Sequence, residues 1–418
     1  FSYDPSIIVE GEKHNRKFGR PGPGNQSRRG RELPGSQAQT RWSDRLKPSC
    51  DHRGCQPQLP KPPSGNRQSH RGRRPVRCGP PLQIYNGRNL CYTGRIMSNY
   101  IVFDLEWNQS AAGKETSLDH LPFEIFEIGA VKLNEKMEQV SQFHRLVRPC
   151  VYRQLHYIIS EVTHVSMDEL DRDGRPFKEV MEEFMEWCGE APVFCTWGSM
   201  DLTELQRNMV YHGMEIPFAS PLLFYDVQKL YSLTFSDGKT REALDEAVKL
   251  LNIRMDAPFH RALGDAVYTG KVMACLDMKA VGDYVSVDYY RIPRCPEEEI
   301  VLNFPDYSKF VSRGFASKEE AMKDKRVTDM VCYKCRRMLR KKIRWFSYGQ
   351  RFYLCLAACP EHGLMKGKIR MKKAEDGSIF VVKTQKLVGE EGAEFVARKK
   401  EEARVRRAER LKTKKHGK

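Results

Sequence analysis

The sequence shows no stretch able to span a membrane and no secretory start. Across its 418 residues there is no run of about 18 apolar residues, and the first residues lack the charged and then apolar pattern of a signal peptide. The 13 cysteines are scattered, which favours buried thiols or metal ligands over a disulfide framework. We therefore expect no membrane partner and a cytoplasmic location.

Residues 1–96 lack both helical and strand periodicity. They are rich in Arg, Pro, Gly, Ser and Gln, a composition that buries too little apolar surface to offset the entropy of folding. This segment is predicted to be disordered. Two interpretations are open: Met97 is the natural start and upstream sequence precedes it, or residues 1–96 form a basic arm that binds nucleic acid.

Charge is distributed unevenly along the chain. The net charge is +13 for residues 1–96, −14 for residues 97–321 and +18 for residues 322–418. An acidic middle between basic ends is typical of a protein that holds a polyanion with its ends and cations at its centre. Nucleic acid is the simplest such partner, and the alternative is that the basic ends are only solvated.

Residues 97–285 have a mixed α/β pattern. Strand-like runs at 100–107, 124–133 and 143–149 are joined by short links and predict a three-stranded meander. The apolar spacing then changes to that of helices, interrupted by two short apolar strands. These later elements are predicted at 176–188, 192–197, 201–212, 222–227, 240–251 and 262–278.

The first predicted strand ends with two carboxylates. Asp104 and Glu106 are two residues apart, so on a strand they lie on the same face. Like charges so close repel each other, and a folded protein tolerates them best when a divalent cation such as Mg²⁺ or Mn²⁺ lies between them. The other interpretation is a polar strand end that faces water.

Two further places carry acidic residues, although each alone has an ordinary structural explanation. Asp201 follows a Trp-Gly turn where a buried strand ends, so it could equally be a helix N-cap or first-turn residue. His260 precedes a predicted helix, and Asp265 lies five residues later on its first turns. Such a pair is more often structural than catalytic.

Together, and in this order, the three places resemble the DEDDh family of 3′→5′ exonucleases. The matching motifs are Asp-x-Glu on a first strand, Asp after a Trp-Gly turn, and His-x4-Asp at the start of a late helix. The resemblance covers about residues 98–280, and Glu124–Leu133, Tyr225–Lys229 and Phe259–Thr269 are similar to the Eri-type and sporulation-inhibitor-type bacterial branch. It implies an α/β fold like that of ribonuclease H, with a mixed central sheet flanked by helices.

The resemblance also implies a division of roles. Four carboxylates would hold two Mg²⁺ or Mn²⁺ ions: Asp104, Glu106, Asp201 and Asp265. Asp104 would be a ligand of both ions, and Asp201 would bind the ions directly or through water. His260 would take a proton from the attacking water, because an unperturbed imidazole titrates near about pH 6.5. Two such ions promote phosphodiester hydrolysis by activating water and offsetting the phosphate charge.

A different metal site is predicted near the C-terminus. Cys332 and Cys335 form one knuckle, and a second knuckle, Cys355 with Cys359, begins twenty residues after the first ends. This spacing resembles a zinc ribbon that holds one structural Zn²⁺. Because the second knuckle is longer than usual, the fourth ligand is open: Cys355 and Cys359 are favoured, with His362 as the replacement. The alternative is that the four cysteines are core thiols.

Basic and aromatic residues alternate within residues 336–353. This pattern suits single-stranded nucleic acid, because cations neutralise phosphates and rings stack on unpaired bases. We predict a connector at 286–330, a small basic zinc-ribbon-like module at 331–388 and a basic helical tail at 389–418. The tail has few apolar residues, so a solvated or RNA-bound helix is expected.

The predicted function is a metal-dependent 3′→5′ exonuclease that hydrolyses single-stranded nucleic acid. RNA is preferred over DNA, because the branch that the sequence resembles leans toward RNA. One alternative is a DNA exonuclease of repair or proofreading. Another is a regulatory nucleic-acid-binding module that keeps the nuclease fold, like sporulation-pathway inhibitors, and the complete set of site residues argues against it. The oligomeric state is not predicted.

Overall fold

The computed structural model describes residues 83–85, 99–113 and 116–416, all within one compact unit of the chain. The predictions for residues 1–96 therefore lie outside the described residues, except at Gln83–Tyr85. These three residues form a strand instead of the predicted disordered chain. The reason is that residues 301–303 offer them a strand edge with which they pair in parallel.

Helices separate most of the strands in the first part of the described chain, whereas the last strands follow one another directly. In chain order the strands are β1 (Gln83–Tyr85), β2 (Tyr100–Asn108), β3 (Glu124–Leu133), β4 (Gln139–Leu146), β5 (Val193–Thr196), β6 (Leu223–Asp226), β7 (Ser286–Val287), β8 (Ile300–Asn303), β9 (Tyr307–Val311), β10 (Arg340–Ser347), β11 (Phe352–Cys359), β12 (Gly363–Lys373) and β13 (Ile379–Leu387). The helices are α1 (Tyr157–Thr163), α2 (Met167–Asp173), α3 (Phe177–Cys188), α4 (Met200–Tyr211), α5 (Val227–Phe235), α6 (Leu244–Leu250), α7 (Ala262–Ala274), α8 (Met278–Val281), α9 (Lys318–Lys323), α10 (Lys325–Thr328) and α11 (Glu390–His416).

The first sheet has six strands in the order β4-β3-β2-β5-β6-β7. The predicted meander is present, since β2, β3 and β4 pair antiparallel. Strand β5 pairs in parallel with β2, and β6 with β5, so the sheet is mixed. Helices flank it on both sides, which confirms the predicted α/β class.

Strand β2 distributes its side chains between the two faces of this sheet. One set packs in the core beneath α3 and α4: Ile101, Phe103 and Leu105. Val102, on the other face, packs in the core formed with α5, α6 and α7. Because alternate residues share a face, Asp104 and Glu106 continue the row of Val102 toward α7.

The second sheet has seven strands in the order β1-β8-β9-β13-β12-β11-β10. The predicted connector, residues 286–330, contributes β8 and β9 to it, so the sheet extends beyond the predicted module at 331–388. Strand β9 joins because it pairs antiparallel with β13, with Val311 opposite Val382. One-dimensional periodicity does not reveal that pairing, since each strand is short.

The second sheet is packed on both faces. Apolar residues of β9, β12 and β13 form a core with α9 and α10 on one face. On the other face, residues of β8, β9 and β13 share the core of the first sheet and its helices. The predicted tail helix is present as α11, but its first turns are not merely solvated. Val396 is fully buried and packs on Leu354 and Leu356 of β11.

No helix among the described residues is both long and apolar enough to cross a bilayer. The 27 residues of α11 carry charged side chains along most of the helix. The cytoplasmic location stays a prediction.

Candidate active site and cysteine cluster

Three of the predicted site carboxylates meet in space. Asp104, Glu106 and Asp265 each offer an oxygen atom, and these atoms all lie within 4.8 Å of one another. Asp104 and Glu106 come from β2, whereas Asp265 comes from the first turn of α7. All three side chains are partly exposed, so a cation and a substrate can reach them.

A glycine allows α7 to approach the sheet closely. Gly129 of β3 lies opposite Asp104 in the ladder. A Cβ atom at this position would lie 2.0 Å from the amide nitrogen of Leu263 and 2.2 Å from the carbonyl carbon of Ala262. Any other residue would therefore force the start of α7 away from β2, and Asp265 with it.

Asp201 lies beside the cluster but is not among the three carboxylates that lie within 4.8 Å of one another. Burial raises the pKa of Asp104, and the charge of Asp201 raises it further. The parallel pairing of β2 with β5 places Asp201 there. Val102 lies opposite Cys195, so the residues that follow β5 lie beyond the carboxyl end of that strand, on the side where β2 carries Asp104. Asp201 is only 5% exposed. Burial raises its pKa to about 7, with the nearby carboxylates of Glu204 and Asp265 adding to the effect.

The electrostatics of the cluster favour a bound cation. Burial raises the pKa values of Asp104 and Glu106 well above the usual range, and the neighbouring carboxylates raise them further. Burial also raises the pKa of Asp265 to about 7. The Oδ1 atom of Asp265 is buried and has no hydrogen-bond partner among the described residues. Four acidic groups and an unpartnered oxygen fit Mg²⁺ or Mn²⁺, which prefer oxygen ligands.

His260 lies two residues before the first residue of α7 and has an uncommon backbone conformation. Its φ angle is +61°, in the left-handed region that few non-glycine residues adopt. Its backbone N–H donates a hydrogen bond to Oδ2 of Asp265, 3.3 Å away. Burial lowers the pKa of the imidazole, so the side chain is neutral at physiological pH and able to accept a proton.

One buried contact beside the site was not anticipated as part of it. Glu127 lies opposite Glu106 in the ladder and is fully buried. Its carboxylate accepts hydrogen bonds from Nε of Arg261 at 3.0 Å and from Nε2 of His144 at 2.7 Å. Because Arg261 directly follows His260, this contact ties the histidine segment to β3. The available sequence signal was a glutamate between the apolar residues Phe126 and Ile128, in the interior of a predicted strand.

A second cluster lies at one end of β11. Its members are Cys332, Cys335, Cys359 and His362, whose ligand atoms all lie within 4.8 Å of one another. The Sγ atoms of Cys335 and Cys359 are 3.6 Å apart, and Nδ1 of His362 is 3.7 Å from Sγ of Cys332. A tetrahedral Zn²⁺ with ordinary bond lengths requires about 3.7 Å between sulfurs and about 3.6 Å between sulfur and nitrogen. The cluster therefore fits zinc.

Cys355, which the sequence favoured as a zinc ligand, lies outside this cluster. It sits in the middle of β11 opposite Gly367, is fully buried, and has its pKa raised to about 12 by burial. The reason is the β11–β12 turn, which starts after Cys359 and brings His362 back toward the first knuckle. The four side chains that meet therefore include His362, the predicted replacement, and not Cys355.

Comparison with known proteins identifies the part of the chain that holds the carboxylates. Residues 101–273 match the exonuclease family known as RNase_T. A probable 3′-5′ exonuclease, KapD of Bacillus subtilis strain 168, is 25% identical over 181 residues, covering 43% of this chain and 85% of that protein. Residues 101–273 are therefore an exonuclease domain. The protein is an enzyme of the 3′–5′ exonuclease type, a hydrolase, as the resemblance predicted.

Other relatives share this part of the chain. DNA polymerase III PolC-type of Staphylococcus haemolyticus is 30% identical over 105 residues, covering 25% of this chain and 6% of that protein. The solved nuclease domain of 3'hExo, a DEDDh family member bound to rAMP, is 20% identical with a TM-score of 0.38, and covers 46% of this chain and 96% of that one. The family match ends at residue 273, before β8 and the strands of the second sheet that follow it.

Proposed function

We propose that this protein is a metal-dependent 3′→5′ exonuclease that hydrolyses single-stranded nucleic acid, with RNA as the preferred substrate. The observation that carries the proposal is the meeting of Asp104, Glu106 and Asp265 within 4.8 Å. Repulsion among carboxylates this close together destabilises the cluster unless a cation or protons occupy it. A site used only for binding nucleic acid would gain nothing from this arrangement.

In the proposed mechanism each residue has one task. Asp104, Glu106, Asp201 and Asp265 hold two Mg²⁺ or Mn²⁺ ions, which when bound activate water and offset the charge of the phosphate. His260, neutral because burial lowers its pKa, accepts the proton of the attacking water. Arg261 holds the histidine segment in place through Glu127. Gly129 keeps α7 close enough for Asp265 to reach β2.

The preference for RNA follows from the branch of the family that the sequence resembles. The alternative, DNA, is favoured by the 30% identity to a DNA polymerase III PolC-type over 105 residues. Both substrates contain the same phosphodiester linkage, so the carboxylate cluster serves either. The sugar must be distinguished by contacts outside the cluster.

The C-terminal cysteine cluster is proposed to hold one structural Zn²⁺. Four ligands at tetrahedral spacing leave no open position for a substrate, which is the arrangement of structural zinc sites. The ligands are Cys332, Cys335, Cys359 and His362. They connect the loop before β10 to the β11–β12 turn, so the ion would stabilise this end of the second sheet.

The proposed activity is tested with the full chain and single-stranded RNA and DNA of one sequence, each labelled at the 5′ end. With Mg²⁺ or Mn²⁺ we expect shortening from the 3′ end, faster for RNA, and no shortening with EDTA. Asp104→Asn should abolish it, whereas the matched variant Asp168→Asn, at an exposed position on α2, should retain the parental rate. Metal-independent shortening, or an active Asp104→Asn protein, would contradict the proposal.

A further inference from the structure

Strand β12 carries four basic side chains on one face, which we call the basic row: Lys366, Lys368, Arg370 and Lys372. Lys368 and Arg370 are exposed. Ile369 and Met371, which point to the opposite face, are 0% and 2% exposed. Residues two apart on a strand are about 6.7 Å apart, so the basic row spans about 20 Å.

Two other parts of the protein cover this face on either side of β12. On β11, Leu354 lies opposite Lys368 and packs with Val396 of α11. On β13, Phe380 lies opposite Lys372 and belongs to the core shared with the exonuclease domain. Lys368 and Arg370 are thus left exposed between α11 and the exonuclease domain, and Lys366 and Lys372 at the two ends of the row are partly exposed.

Within the described residues no carboxylate neutralises the basic row by an ion pair. Its members instead contact partly exposed aromatic rings. Nζ of Lys368 and Cζ of Arg370 lie 5.2 and 5.8 Å from the centre of the Phe352 ring. Nζ of Lys366 lies 5.5 Å from the centre of the Phe395 ring, on α11. Cations and rings are therefore interleaved along this surface.

Further cations approach the row from outside. Burial lowers the pKa of Lys366, and the charges of Lys368, Lys386 and Lys239 add to the effect. Lys386 is itself paired with Asp306 at 2.6 Å, whereas Lys239 is an exposed residue of the exonuclease domain. Burial lowers the pKa of Lys372 to about 8, and the charge of Arg370 adds to this effect, whereas the carboxylate of Asp288 opposes it. Such like-charge crowding is relieved when a polyanion lies on the surface.

We propose that the basic row binds the phosphates of the single-stranded nucleic acid that the exonuclease domain shortens, on the 5′ side of the reacting end. The inference rests on the proposed function, because a 3′→5′ exonuclease must hold a strand that extends 5′ of its active site. Regularly spaced cations match a polymer with regularly spaced charges. Phe352 and Phe395 are available to stack on unpaired bases, which favours a single strand over an acidic protein.

Two of the aromatic residues that the sequence suggested for this task, Trp345 and Tyr353, pack elsewhere. The Nε1 atom of Trp345 donates a hydrogen bond to the carbonyl of Thr328 at 2.7 Å. Trp345 and Tyr353 pack in the core with α9 and α10 on the opposite face of the sheet. Of the basic and aromatic segment at 336–353, Phe352 is the ring in contact with the basic row.

The test compares two triple variants of the full chain that remove the same charge. One is Lys366→Gln/Lys368→Gln/Arg370→Gln, and the control is Lys136→Gln/Lys178→Gln/Lys323→Gln, at exposed positions away from this face. The dissociation constant for an oligouridylate of about 20 nucleotides is measured in EDTA at several salt concentrations. Each lost phosphate contact with a single strand reduces the salt slope by about 0.7.

We expect the row variant to bind about ten- to a hundred-fold more weakly at about 0.1 M salt, with a slope smaller by about 2. The control variant should bind like the parent. A row variant with the parental affinity and slope would overturn the proposal. So would a polyglutamate of similar charge that binds the parent as tightly as the oligouridylate does.

Two further measurements keep the outcomes distinct. Hydrolysis of a nitrophenyl ester of thymidine 5′-monophosphate needs only the active site, so both triple variants should retain the parental rate. If the parent binds oligouridylate through the basic row but hydrolyses nothing with any metal, the proposed exonuclease function is wrong. The assignment of the basic row as a nucleic-acid-binding surface would then still stand. The variant Lys366→Arg/Lys368→Arg keeps the positive charge and should keep the parental salt slope of binding. A smaller slope in this variant would overturn the proposal that the charges of the basic row bind phosphates.

Discussion

Replacing Asp201 by asparagine should stabilise the metal-free protein at alkaline pH and leave its stability unchanged near pH 4. Asp201 is 5% exposed, and burial raises its pKa from 3.8 to about 7. A carboxyl group with a higher pKa in the folded protein binds its proton more tightly when folded. The free energy of unfolding therefore falls as the pH rises from 3.8 to about 7. Asparagine has nearly the same shape and carries no charge, so it lacks this dependence.

The size of the effect follows from the pKa change. One unit of pKa corresponds to about 1.4 kcal/mol, so charging Asp201 destabilises the folded, metal-free protein by about 4 kcal/mol at about pH 8. For a domain of this size that corresponds to about 8–16 °C in the unfolding midpoint. With Mg²⁺ present the order should reverse, because the parent gains binding energy through a ligand that the variant lacks.

The assay is thermal unfolding in EDTA at about pH 4 and about pH 8, repeated at about pH 8 with Mg²⁺. Asp168→Asn, an exposed replacement of the same kind, should unfold like the parent under all three conditions. A variant at Asp201 that is no more stable than the parent in EDTA at about pH 8 would refute the electrostatic argument. An equal gain from Mg²⁺ in both proteins would refute the assignment of Asp201 as a ligand.

Three other substitutions test residues that position the carboxylate cluster or belong to the cysteine cluster. Gly129→Ala should push α7 from β2 and abolish metal-dependent hydrolysis, measured with labelled RNA, whereas a parental rate would show that α7 tolerates a Cβ there. Arg261→Gln should lower the free energy of unfolding by about 1–3 kcal/mol in a denaturant titration, because it removes one of the two partners of the buried Glu127 carboxylate and leaves His144 as the other; an unchanged midpoint would refute that pairing. Cys359→Ala should remove the zinc measured by elemental analysis and Cys355→Ala should retain it, and the opposite result would restore Cys355 as the ligand.

The active-site residues were accessible from the sequence because each sits at a recognisable junction. Two carboxylates end an apolar strand, one follows a strand-to-helix turn, and a histidine precedes a helix that carries the last aspartate. Such junctions are local features that periodicity and spacing locate. Their proposed roles came from the resemblance to the DEDDh family, because each junction alone also had a structural explanation. The Glu127–Arg261 contact joins residues 134 positions apart, and no local pattern records it.

The C-terminal part shows where local patterns were insufficient. Two knuckles predicted four ligands, but the choice between Cys355 and His362 depended on the turn that follows Cys359. The assignment of residues 286–330 to a connector depended on whether β8 and β9 would find a partner strand. That partner, β13, lies about seventy residues further along the chain. Strand pairing over such separations is decided by packing rather than by composition.

The sequence by itself determined the class of this protein. An exonuclease domain requires particular acidic residues at particular helix and strand boundaries, and these residues occur in the required order along the chain. It also predicted a polyanionic partner, because the net charge of each segment follows from composition. Only the tertiary structure decided which residues meet. Three features depend on contacts between segments that are distant in the sequence, and such contacts form only when both segments are packed. They are the close approach of α7 at Gly129, the fourth residue of the cysteine cluster and the exposure of the basic row between α11 and the exonuclease domain.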